Sequence, residues 1–92
     1  MNILDYIPYG EANAVPREVL KQITGLTDRQ MRKKIELARE TTPILNFQGG
    51  KGYFIPTETE RYLVIRWIRQ EMSRRRKIKK GISGAEKFLK AV

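Results

Sequence analysis

The sequence contains neither cysteine nor histidine. Without cysteine there can be no disulfides, no thiolate nucleophiles and no sulfur-bound zinc or iron–sulfur sites. Without histidine the chain lacks the imidazole that binds metals and serves as the usual general base near neutral pH. We therefore expect a protein that is not an enzyme, that carries no cofactor or metal, and that has no small-molecule substrate.

Long apolar runs are also missing. The run of Leu63, Val64 and Ile65 is far shorter than the about 20 apolar residues that a membrane-spanning helix needs. The sequence begins with Met1 and Asn2 and has neither the basic stretch nor the apolar segment of a signal peptide. We expect a cytoplasmic, nucleoid-associated protein without a membrane partner.

The charge is large and unevenly distributed. The 92 residues include 19 Lys and Arg against 10 Asp and Glu, a formal net charge of +9 in what is expected to be one small domain. Residues 1–15 hold two acids and no base, whereas residues 66–80 hold eight bases and one acid. Such a basic cluster is typical of a segment that meets a polyanion, such as nucleic acid or an anionic membrane surface. A solvated helix face is the alternative.

Two helices with a short connection are predicted in the first half of the chain. Apolar spacing predicts one helix over residues 16–24, ended by Gly25, and a second that begins at Asp28. Thr27 and Gln30 have the spacing of a capping box. A three-residue connection that contains glycine is typical of a helix-turn-helix corner. The positions expected to face the core are Val19, Leu20, Ile23, Met31, Ile35 and Ala38, with Arg29, Arg32, Lys33, Glu36 and Arg39 largely outward.

A β-hairpin and two further helices are predicted after Pro43. Residues 44–47 and 53–55 are β-prone and flank a glycine-rich turn over residues 48–52. A long helix capped by Thr57 or Thr59 is expected to run to about Lys80, with Gly81 as its end. Its expected apolar positions are Leu63, Ile65, Trp67, Ile68 and Met72. A capping pair, Ser83 and Glu86, then predicts a short amphipathic helix with Ala85, Phe88, Leu89 and Val92 on one face.

Two segments resemble a known family. LTDRQMRKKI at residues 26–35 looks like a turn and recognition helix, and GGKGYFI at residues 49–55 looks like a glycine-rich wing and the strand that follows it. Residues 1–56 thus resemble the winged helix-turn-helix DNA-binding domains, and are similar to small winged-helix proteins of phages and prophages of Gram-positive bacteria. The resemblance implies a mainly α fold with a small β-hairpin wing (α+β). Residues 57–92 would form a helical extension, either packed or projecting.

Recognition-helix geometry suggests individual roles. The start of a helix in the major groove points at base edges, which makes Arg29, Arg32 and Lys33 candidate readers. Gln30 either reads a base or only completes the cap, and Asp28 orients Arg29 or accepts from cytosine. Around them, Thr27 with nearby amides could hold a phosphate flanked by Arg17 and Lys21, while Lys51 reaches the minor groove or a phosphate. The basic run adds sequence-independent affinity. The predicted DNA-binding residues are Arg17, Thr27, Asp28, Arg29, Gln30, Arg32, Lys33, Lys51, Arg74, Arg75, Arg76 and Lys77.

Three functions fit these observations. The first is a phage, prophage or bacterial transcription regulator that binds double-stranded DNA. The second is a DNA-binding accessory protein for replication, recombination or packaging that recruits a protein partner through the C-terminal helix. The third is an RNA-binding module, since basic domains also bind RNA. The C-terminal apolar stripe could alternatively form a homodimer seam, which would suit an inverted-repeat operator.

Overall fold

A computed structural model describes residues 1–90 of the chain. Three α-helices dominate it, and α3 alone accounts for 30 residues. Among the described residues, no helix is long and apolar enough to cross a membrane. The elements in chain order are the 3-10 helices Ile3–Tyr6 and Glu11–Asn13, α1 (Arg17–Thr24), α2 (Asp28–Ala38), the 3-10 helix Glu58–Glu60, and α3 (Arg61–Lys90).

The corner between α1 and α2 forms as its local signals predict. Gly25 adopts the left-handed conformation, with φ of 71°, and its amide donates to the carbonyl of Lys21. Thr27 Oγ1 accepts from the amide of Gln30 at 3.2 Å, and Gln30 Oε1 accepts from the amide of Thr27 at 3.0 Å. Both halves of the predicted capping box are therefore confirmed.

The core consists of two clusters that meet along residues 53–55. The first contains side chains of the first 3-10 helix, α1 and α2, together with Tyr53 and Ile55. The second joins Leu45, Phe47 and Phe54 to Leu63, which is the buried residue of α3. The helix that carries most of the basic residues is thus anchored through its first turns.

The predicted β-hairpin wing is wrong. Within the described residues there is no strand, and residues 44–47 and 53–55 share a single bridge, between Leu45 and Phe54. The backbone of Tyr53 bonds instead to Val15, and that of Ile55 bonds to Pro8 and Gly10. On the other side, Gln70 of α3 accepts from the amide of Gln48 at 3.2 Å and donates to the carbonyl of Asn46. The pairing of Leu45 with Phe54 does not extend, because Pro43 and Pro56 have no amide hydrogen and the carbonyl of Phe47 accepts from the amide of Gly50 within the turn. The winged α+β fold class therefore gives way to a mainly helical one.

The predicted helix end at Gly81 is also wrong. Helix α3 continues through Gly81 and Ser83 to Lys90, so the expected break and the separate terminal helix are not found. An internal glycine costs a helix only about 1 kcal/mol, which the surrounding helix formers offset. Val92, which was expected on the apolar stripe, lies outside the described residues.

Several predicted core positions are exposed. In α1 only Leu20 and Thr24 are buried, whereas Val19 and Ile23 are 42% and 51% exposed. The expected apolar positions Ile65, Ile68 and Met72 of α3 also face solvent. The side of α3 that meets the core carries Leu63 and Trp67, and Ile65, Ile68 and Met72 lie on other sides of the helix.

Candidate nucleic-acid interface

The outward side of α2 carries three exposed bases, Arg29, Arg32 and Lys33. Met31 and Ile35 on its opposite side are 0% and 2% exposed, so packing fixes which side of the helix points outward. The acid Glu36 also lies on the outward side, where it lines a shallow depression with the three bases. The structure therefore places three of the four predicted readers together on one accessible face.

The fourth predicted reader, Gln30, is engaged locally. Its Oε1 accepts from the backbone of Thr27, and its own amide donates to the hydroxyl of Thr27. The capping role weighed for Gln30 is thus present. The predicted phosphate site at Thr27 loses two backbone amides, those of Thr27 and Gln30, to the same capping box.

Asp28 joins α1 to α2 through two arginines. Its Oδ2 lies 3.1 Å from Nε of Arg32, and its Oδ1 lies 3.5 Å from Nε of Arg17. That Oδ1 is buried and accepts no hydrogen bond, so the approach of Arg17 compensates its charge. Asp28 therefore orients Arg32 and Arg17, whereas the sequence suggested Arg29. Both arginine side chains remain about half or more exposed, at 64% and 49%.

The bases that were expected to flank a phosphate are partly neutralised. Glu18 lies 3.7 Å from Lys21 and 3.7 Å from Arg17. At an exposed surface such pairs contribute roughly 0–1 kcal/mol, so a phosphate could replace them at small cost. Of these two basic residues, Arg17 reaches the start of α2 through Asp28.

A cavity of about 370 Å³ lies between α2 and α3. Arg32 comes from α2 and Arg74 from α3, so residues 42 positions apart in the sequence share one surface. Arg74 Nη1 also lies 3.7 Å from Glu71 Oε2. The cavity lies between the outward face of α2 and the start of the basic part of α3, and its lining also holds two acids, Glu36 and Glu71.

Arg39 also lines this cavity, and sequence reasoning placed it outward. Its Nε donates to the carbonyl of Ile44 at 2.9 Å, and its guanidinium lies 5.0 Å from the ring centroid of Trp67. Burial lowers the pKa of this guanidinium from its usual high value. The sequence does contain a signal for this burial, because Arg39 follows the buried Ile35 by four residues and so lies at the border of the core-facing stripe. Arg39 therefore acts as a structural cation that joins α2 to α3.

Lys51 lies apart from α2. It is exposed on the glycine-rich loop, beside a cavity lined by Glu11 and Ala12 of the second 3-10 helix. Gly52 holds the loop close to residues 15–16 with φ of 131°, where any Cβ would overlap the carbonyl oxygen of Val15. The loop thus has a fixed base, and its lysine lines neither of the cavities that the predicted readers of α2 line.

The predicted backbone-contacting bases lie on the free part of α3. Arg74, Arg75, Arg76 and Lys77 are all exposed. Between residues 1 and 90, only Arg74 of these four takes part in an ion pair. Residues 1–60 hold eight bases and eight acids, whereas residues 61–90 hold eleven bases and two acids. The whole positive excess of the chain therefore resides on one helix.

Comparison with known proteins does not assign this chain to a family. Neither a protein-family model, nor a curated protein, nor a solved structure matches this chain.

Proposed function

We propose that this chain binds double-stranded DNA by inserting α2 into the major groove. The observation that carries the proposal is the division of α2 into a buried side, with Met31 and Ile35, and an exposed side with Arg29, Arg32 and Lys33. An α-helix fits the major groove, and arginine can bond guanine through two hydrogen bonds. The resemblance of residues 26–35 to a recognition helix adds the role of a transcription regulator.

The basic residues of α3 support the same proposal. Its run of exposed basic residues begins at Arg74, which lines the same cavity as Arg32 of α2. Bases of this kind bind phosphates and release condensed counterions, which gives affinity without sequence preference. In this proposal α2 supplies specificity and α3 supplies affinity.

Selection of bound duplexes from a random DNA pool at physiological salt tests the proposal, because non-specific binding is weak there. We expect one motif to be enriched. Arg32→Ala and Lys33→Ala should change that motif, at a cost of about 1–3 kcal/mol at the affected base pair. Arg75→Ala and Arg76→Ala should weaken binding to all duplexes alike and each reduce the slope of log K against log salt by about one.

Lys34→Ala is the matched control. Lys34 is on the same helix and carries the same charge, but it lies beside Met1, Asn2 and Leu4, on the side of the first 3-10 helix. We expect its substitution to leave the motif unchanged. Retention of DNA without enrichment would refute sequence reading by α2. Tighter binding to duplex RNA than to duplex DNA would refute DNA as the ligand.

A further inference from the structure

The last part of α3, residues 74–90, is exposed at every position and is called the distal helix below. Its apolar side chains are not scattered. They recur at intervals of three and four residues and therefore form one stripe along the helix. The stripe consists of Ile78, Ile82, Ala85, Phe88 and Leu89, whose four large members are 53–73% exposed.

The stripe continues the side of α3 that faces the core. Eleven residues, about three helical turns, separate Trp67 from Ile78, so the two lie on the same side of the helix. At Trp67 this side is covered by the core, whereas at Ile78 it is exposed. A partner that covers the stripe would therefore lie beside the core, between the core and the distal helix. DNA binding does not account for the stripe, because DNA phosphates bind lysine and arginine side chains and not isoleucine or phenylalanine.

The arrangement of charges indicates what kind of partner fits. Taken as a heptad repeat, four members of the stripe occupy positions a and d, with Ile78 and Ala85 at d and Ile82 and Leu89 at a, while Phe88 occupies g. Most of the bases then occupy b, c and f, the positions that point away from a helical partner. They are Arg76, Lys77, Lys80, Lys87 and Lys90.

The positions beside the stripe are self-complementary when a second copy runs antiparallel. Ile78 then faces Leu89 of the other copy, and Ile82 faces Ala85. Lys79 and Glu86, the two e positions, come together twice across the two-fold axis, and Glu86 is the single acid of the distal helix. Of the three g positions, Gly81 and Phe88 face each other, so the large ring meets a residue without a side chain, and Arg74 lies beyond the end of the seam.

We propose that the distal helix pairs antiparallel with the distal helix of a second copy of this chain. The proposal is independent of DNA binding, because none of the residues in the four apolar layers is assigned to DNA. Arg75, which is assigned to DNA, also falls at position a, but it precedes Ile78 and lies beyond those layers. The seam has only four a/d layers, so we expect a weak dimer with a dissociation constant on the order of micromolar.

Sedimentation of the full chain over a range of concentrations, without DNA, tests the proposal. We expect reversible conversion of monomer to dimer. Phe88→Ser with Leu89→Ser should raise the dissociation constant by about tenfold or more, since two large apolar side chains leave the seam. The matched control is Ile65→Ser with Met72→Ser, which removes exposed apolar surface from another side of α3 and should leave association unchanged.

Charge reversal tests the antiparallel register. Lys79→Glu and Glu86→Lys should each weaken self-association by roughly three- to tenfold, because each replaces two attractive pairs by two repulsive ones. An equimolar mixture of the two variants should associate again, as should the double variant. These residues are exposed and lie beyond the core, so the variants are expected to fold normally.

Three results would overturn the proposal. A chain that stays monomeric at all concentrations refutes pairing with a second copy. Loss of association in the Ile65 and Met72 control places the seam elsewhere. Stronger association of Lys79→Glu indicates parallel pairing, in which residue 79 would meet Arg74 of the other copy. None of these results bears on whether the monomer binds DNA.

Discussion

Residues 1–73, called the head below, and the distal helix differ in almost every physical property, although α3 runs through both. The head contains all of the buried residues described and holds eleven bases against nine acids. The distal helix has no buried residue and holds eight bases against one acid. Both parts carry the same apolar stripe of α3, so a pattern of this kind establishes which side of a helix is apolar but not what covers it.

The sharpest test of this contrast makes the same substitution in both parts. Gly52→Ala would drive a Cβ into the carbonyl of Val15 at a φ of 131°, and should destabilise the head by roughly 3 kcal/mol or more. Gly84→Ala has nothing within 4 Å of the new Cβ and should stabilise the distal helix by about 0.5–1 kcal/mol. Urea unfolding followed by Trp67 fluorescence reports the head, and far-ultraviolet circular dichroism reports the helix. If both substitutions changed stability in the same direction, the contrast between the head and the distal helix would be contradicted.

A second pair removes a leucine from each part of α3. Leu63 is 2% exposed and packs against Phe54 and Leu45, so Leu63→Ala should cost about 2–5 kcal/mol. Leu89 is 73% exposed, and Leu89→Ala should change the stability of the dilute monomer by no more than about 0.5 kcal/mol. Chemical denaturation at low protein concentration measures both. Similar losses would mean that the distal helix packs against the head.

Two arginines provide a third comparison. Arg39→Ala removes the donor to Ile44 and the cation over Trp67, and should destabilise the head by roughly 1–3 kcal/mol. Arg76→Ala removes an exposed charge and should leave the unfolding midpoint unchanged while it weakens DNA binding. Thermal unfolding combined with a binding titration separates the two. A large loss of stability from Arg76→Ala would show that the basic residues of the distal helix also support the fold.

The smallest effect concerns acid stability. Hydrogen bonds from the amides of Thr57 and Glu11 lower the pKa of the Glu60 carboxyl below its ordinary value of 4.5. Its ionised form therefore stabilises the head fully above that value, and this contribution is lost as the pH falls through the lowered pKa. Glu60→Gln should flatten the decline of the unfolding midpoint below about pH 4.5. Glu86→Gln in the distal helix is the control, and an equal change there would argue against the role of Glu60.

The parts of the fold that were predictable are those determined by neighbours in sequence. Gly25 and the pair of Thr27 and Gln30 define the corner within a few residues, and the i, i+4 spacing of Asp28 and Arg32 is visible without a structure. The hairpin was predicted wrongly because residues 53–55 join the N-terminal segment through Tyr53 and Ile55 and pair with residues 44–47 only at Phe54. Gln70, 22 residues after Gln48, likewise holds the loop.

In the candidate interface, too, some features are determined by neighbours in sequence and others by distant segments. The exposed bases of α2 follow from its periodicity, but the pairing of Asp28 with Arg17 requires the corner to be folded. Arg39 could not be assigned to the interior because its partners, Ile44 and Trp67, lie on a loop and on another helix. The end of α3 was missed because the weak helix-breaking effect of Gly81 was given more weight than the helix formers around it.

The carboxylate of Asp28 acts as an internal counterion for Arg17 and Arg32. The ions released on binding come from the DNA, in a number set by the positive charge brought to its phosphates, and two arginines that share one carboxylate bring one net positive charge rather than two. Contacts made by these two residues would then contribute less to the salt dependence of binding than contacts made by Arg75 and Arg76. A count of phosphate contacts taken from salt dependence alone would therefore fall short of the true number, and the shortfall would lie at the corner between α1 and α2.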